Sequence, residues 1–117
     1  MTTKQVAARF WELAQQGQYD QIQDELYADN VRSIEASEDF LPSVEGLDKV
    51  REKGQMFNAM VEAMHSGYCT EPAVGGNFFT CAMGMDITLK GQPRMQMDEV
   101  AVYEVQDGKI VTEQFFS

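Results

Sequence analysis

Glu99 is the residue in this 117-residue chain whose surroundings most suggest chemistry. From Met95 to Tyr103 the residues alternate as in a strand, so Met95, Met97, Glu99, Ala101 and Tyr103 share one face. A carboxylate among methionines and an alanine is paired, protonated or functional, because an isolated buried charge is costly. Arg94, Lys90 and the only histidine, His65, are its available partners. His65 begins the strand after the third helix, where it can point into a cavity, although a lone histidine is more often structural. Met83, Met85, Met95 and Met97 form a pliable apolar wall on two long strands. Methionine commonly fills irregular cores; the four together suit a cavity for a flat, apolar ligand. Gln114, with Thr112 and Phe116 on its face, adds a polar group at the cavity mouth.

Other chemistries lack their residues. One histidine, with Cys69 and Cys81 at no metal-ligand spacing, excludes a histidine-rich zinc site. Carboxylates alone show no metal motif. Gly75-Gly76-Asn77 is a turn without the lysine of a phosphate-binding loop. No Ser/His/Asp constellation is recognisable. A net charge of −10 argues against nucleic acid and anionic membranes. No apolar run is long enough to span a bilayer. The opening MTTKQVAARF has no apolar secretory core, so a cytoplasmic protein with reduced cysteines is expected.

The elements that must hold these residues follow from periodicity. Thr2 and Gln5 form a capping-box pattern, and Val6, Phe10 and Leu13 follow at helical spacing up to Gly17. A second helix covers 19–27, and Asp29-Asn30 breaks it. A short strand over 31–36 puts Val31, Ser33 and Glu35 on one side. Ser37 to Gly46 is a loop. Leu47, Val50, Gly54, Phe57 and Val61 mark a third helix. Strands are expected over 64–70, 78–89, 95–103 and 110–116, with Asp107-Gly108 as a hairpin turn. Segregated helices and antiparallel strands indicate a single α+β domain over residues 1–117.

The chain resembles the NTF2-like superfamily, in particular its SnoaL-like and ketosteroid-isomerase-like members. The likeness rests on Ala8-Arg9-Phe10 with Glu12-Leu13, Leu26-Tyr27-Ala28-Asp29, Glu45-Gly46, Gly91-Gln92-Pro93, Asp107-Gly108-Lys109-Ile110 and Phe115-Phe116, in that order along the whole chain. It implies three helices packed on a strongly curved, mixed but mainly antiparallel sheet, a cone with an internal pocket. It places a general base at Glu35 and a hydrogen-bond-donating acid at Glu99. If both glutamates meet in one pocket, desolvation and mutual repulsion raise at least one pKa. Glu35 also reads as part of a solvated rim with Ser37, Glu38 and Asp39. The resemblance makes Tyr27 a candidate pocket hydroxyl. The family's oxyanion-hole tyrosine falls on Phe10, which has no hydroxyl. The implied activity is cofactor-independent isomerisation, cyclisation or dehydration of a small apolar carbonyl compound. The alternative is a non-catalytic ligand-binding or protein-interaction module with the same pocket. A homodimer through the outer sheet face is expected.

Overall fold

The N-terminal capping box closes as its residues dictate. The Thr2 N–H donates to Gln5 Oε1 at 2.9 Å, and the Gln5 N–H donates to Thr2 Oγ1 at 3.2 Å, opening helix α1, Thr3–Gln15. The structure, a computed structural model, describes all residues from Met1 to Ser117. Helix α2 (Tyr19–Leu26) runs directly into strand β1 (Tyr27–Ile34), and α3 (Leu47–Met60) directly into β3 (Val61–Cys69). Both strands therefore start earlier than periodicity suggests. The residues after the helices, Tyr27 and Val61, are already extended, with ψ of 136° and 124°. Asp29 and Asn30 do not end a helix; they are exposed positions on β1. Two short strands, β2 (Val44–Glu45) and β4 (Ala73–Gly75), add to the expected set. The hairpin strands are β5 (Phe78–Leu89), β6 (Met95–Gln106) and β7 (Lys109–Phe116).

The sheet order is β2-β1-β7-β6-β5-β3, with β4 also on β5. Only β1 and β7 pair in parallel; the remaining pairs are antiparallel. The turn between β6 and β7 has positive φ at both Asp107 (52°) and Gly108 (76°), which an Asp-Gly pair tolerates. The fold is α+β, three helices on a mixed, mainly antiparallel, open sheet bent by register shifts in β1, β3 and β6–β7. The core lies between α1, α2 and the inner face of the sheet. Phe10 packs on Phe79 and Tyr103, with ring centroids 5.3 and 4.7 Å away. No helix is long and apolar enough to cross a membrane.

One register shift matters for function. Glu104 faces Thr112 but its neighbour Val105 faces Ile110, so β7 carries one extra residue, Val111. A one-residue shift sends every later side chain to the opposite face. Ile110 points inward, and so do Glu113 and Phe115; Gln114 and Phe116 do not.

Candidate functional site

Two carboxylates reach one cavity from two strands. Glu99 sits on β6 opposite Met83, and Met97 sits opposite Met85, so acid and methionines share the inner face. Glu35 follows the end of β1, continuing the inward side of Val31 and Ser33, both fully buried. Its N–H donates to Ser43 Oγ at 2.9 Å, which ties the strand end to the returning loop. Strand β7 lies between β1 and β6, and its Phe115 lines the cavity between them. The cavity has a volume of about 980 Å³ and is lined by Glu35, Glu99, Met83, Met85, Met97 and Phe115, among others.

Beneath this floor lies a polar chain that sequence patterning did not reveal. Lys53 comes from α3 and is only 7% exposed. Its Nζ donates to Ser33 Oγ at 2.5 Å and lies 3.5 Å from Glu35 Oε2. Ser33 Oγ in turn donates to Glu113 Oε2 at 2.6 Å, and the Tyr27 hydroxyl donates to Glu113 Oε1. Glu113 is 5% exposed. The Lys53 ammonium also lies 5.8 Å from the centre of the Phe115 ring, within cation–π range. Its signal was faint: Lys53 falls three residues after Val50 on the inward stripe of α3.

The electrostatics separate the two cavity carboxyls. Burial raises the Glu99 pKa to about 7, and the negative charges of Glu35 and Glu113 add to the effect against the opposing pull of Lys53. Burial also raises Glu35, and the Lys53 ammonium only partly offsets it. Glu35 Oε2 is closed to solvent and has no hydrogen-bond partner, since 3.5 Å to Lys53 is an ion-pair contact rather than a well-formed bond. Both carboxyls are raised by burial, and Lys53 beside Glu35 favours a shared proton on Glu99 over Glu35, a division that lets two carboxyls act as acid and base.

Of the other sequence candidates, the structure brings Met83, Met85 and Met97 to the cavity and leaves six elsewhere. Phe10 is in the three-ring core, held there by Phe79 and Tyr103. Tyr27 is buried, with its hydroxyl committed to Glu113. His65 is exposed and its Nε2 meets Thr88 Oγ1 at 2.8 Å, because a shift between Met64 and Ser66 breaks the alternation of β3. Met95, opposite Ile87, lies beyond the cavity lining. Gln114 and Phe116 are turned away by the extra residue in β7.

The profile of the SnoaL-like domain family matches residues 1–117. Among solved structures, a Mesorhizobium loti protein, provisionally described as a SnoaL-like polyketide cyclase (carbohydrate phosphatase), is 34% identical with a TM-score of 0.94, covering 100% of both chains. An NTF2-like protein of Burkholderia thailandensis superposes with a TM-score of 0.81 at 15% identity, over 99% of this chain and 90% of its own. A cystatin-fold protein of unknown function from Xanthomonas campestris gives 0.74 at 19%, over 100% and 91%. No curated protein sequence matches significantly. Full-length agreement with the family profile, on the curved-sheet fold just described, shows that the chain belongs to the SnoaL-like family of the NTF2-like, ketosteroid-isomerase-like fold.

Proposed function

We propose that this protein binds a small, apolar carbonyl compound in the Glu35–Glu99 cavity and moves a proton on it without a cofactor. The observation that carries this reading is the meeting, in one cavity, of two half-buried carboxyls, both with raised pKa, only one of which has an ammonium, Lys53, at 3.5 Å. Glu35 takes a proton from the carbon beside the carbonyl. The C–H electrons form a carbon–carbon double bond, and the carbonyl π electrons move to oxygen. Glu99 donates a hydrogen bond, or its proton, to that oxygen as charge develops. Return of the Glu35 proton to another carbon is isomerisation; attack of the enolate carbon on a second carbonyl is cyclisation. Membership of the SnoaL-like family supports this class of chemistry.

Deuterium exchange at the α-carbons of β-tetralone in D₂O, followed by NMR, tests it. The wild type should accelerate exchange, and Glu35→Gln should lose about 10²–10⁴-fold of that acceleration. The wild-type rate should fall as pH rises through about 7, where Glu99 loses its proton. Equal rates for Glu35→Gln and wild type would refute the role of Glu35. A second reading, ligand binding without catalysis, is favoured by Phe10: its position offers no hydroxyl to an oxyanion. Tetralone bound without exchange would select it.

The proposal includes a two-fold dimer through the outer sheet face, where exposed Val100 pairs with exposed Phe116 and exposed Phe78 lies on the same sheet. Sedimentation equilibrium should give twice the chain mass; a monomer removes this part. A cytoplasmic setting fits the two free thiols, Cys69 and Cys81.

A further inference from the structure

The charge of the cavity is one-sided. Asp20, Glu35, Asp39, Asp98 and Glu99 line it, and no lysine, arginine or histidine does. Three of these five are already committed. Glu35 faces Lys53 at 3.5 Å. Asp98 accepts hydrogen bonds from the Tyr68 hydroxyl at 2.8 Å and from Gln96 Nε2 at 2.9 Å. Glu99 is half-buried beside Met83 and is the acid of the reading above. Asp20 and Asp39 are exposed at the rim, and neither carboxylate takes part in an ion pair or a side-chain hydrogen bond.

Each rim carboxylate is the chain neighbour of an exposed ring, and all four residues line the same cavity. Tyr19 and Asp20 begin α2; Asp39 and Phe40 lie in the loop after β1. The rings are 45% and 40% exposed, and both line the same cavity. Phe40 is steadied edge-on against Phe57, with centroids 6.2 Å apart at 80°. A ring face attracts a cation through its quadrupole and also covers the cation's carbon substituents. A carboxylate lining the same cavity supplies the opposite charge. An anionic ligand would meet five acids and no counter-charge, since Lys53 is enclosed by Ser33, Glu35 and Phe115.

We infer that the ligand of this cavity carries a positively charged amine, held at the rim between the Tyr19–Asp20 and Asp39–Phe40 pairs, with its apolar, carbonyl-bearing body extending to Glu35 and Glu99. This rests on the reading of the cavity as the ligand site. The amine contributes affinity and orientation; it takes no part in the proton transfer.

Three probes on one ring system test the inference: naphthylmethylamine, naphthylmethanol and naphthylacetate, titrated into the full chain by calorimetry at low salt. The amine should bind at least about tenfold more tightly than the alcohol, and the acetate about tenfold more weakly, with both differences shrinking as salt is added. Replacing both rim acids, Asp20→Asn with Asp39→Asn, should bring the amine to within about twofold of the alcohol. Unchanged alcohol affinity in that variant shows an intact cavity. The inference fails if the acetate matches the amine, or if the amine's advantage survives the double substitution. Alcohol binding with no amine advantage overturns the charge inference alone. Failure of all three probes to bind overturns the cavity reading and this inference with it.

Discussion

Lys53→Met should cost the folded protein about 3–5 kcal/mol, the largest loss expected from any single change to the interior network. Lys53 is the one cation among Glu35, Glu99 and Glu113, and it is almost wholly buried. Methionine keeps the length and apolar stem of lysine, so packing over Phe115 survives. The charge and the hydrogen bond to Ser33 Oγ do not. Glu35 and Glu113 then face each other's charge without compensation. Domains of this size are typically stable by about 5–15 kcal/mol, so the variant should sit close to unfolding at room temperature. Urea denaturation measures the loss. Adding Glu35→Leu to Lys53→Met should recover more than half of it, because removing both members of a buried pair costs far less than removing one. A fall below about 1 kcal/mol for Lys53→Met would show that water reaches the network and screens it.

Glu99→Gln should stabilise the protein above neutrality and leave it little changed in acid. The folded-state pKa of Glu99 is raised from the ordinary glutamate range to about 7. A raised pKa means that the folded chain holds this proton more tightly than the unfolded chain. Its contribution is therefore fully present below about pH 4.5, declines as pH rises, and is gone above about pH 7. Glutamine keeps the shape and never ionises. Its advantage should grow across that window to about 1–2 kcal/mol at pH 8, allowing for solvent screening of a group only partly buried. Urea midpoints at both ends of the window give the sign. The same substitution removes the acid from the cavity, so stability rises where activity is lost, a pattern expected at strained functional sites.

The legible parts of the site are those where a local pattern runs unbroken. Glu99, Met97 and Met83 keep one face because β5 and β6 pair in register from Phe78↔Glu104 to Ile87↔Met95. The Asp107-Gly108 turn was readable because its backbone needs positive φ at both residues. Where the pattern breaks, the reading fails in a definite way. Alternation from Ile110 leads to Thr112, Gln114 and Phe116; the extra Val111 hands the inner face to Glu113 and Phe115 instead. Nothing in Lys109–Phe116 marks that bulge, because it is set by pairing with β6. His65 fails for the same reason beside the shift at Met64/Ser66. Phe10 lies on the helical stripe as expected, but its partners Phe79 and Tyr103 are distant in sequence, and they make it core rather than cavity wall. Lys53 was hidden because a lysine on a helix normally marks the solvent side. Its burial is licensed only by Ser33, Glu35 and Glu113 on strands formed far along the chain.

The central claim is that one cavity holds two interacting carboxyls, with the proton favoured on Glu99 over Glu35. Titration of the glutamate carboxyl carbons by ¹³C NMR, assigned with Glu35→Gln and Glu99→Gln, tests it most directly. Glu99 should titrate near pH 7, Glu35 should also lie above the ordinary glutamate range, and Glu35→Gln should lower the Glu99 midpoint by removing a negative neighbour. Both carboxyls titrating at about 4.3, each unaffected by loss of the other, would contradict the account.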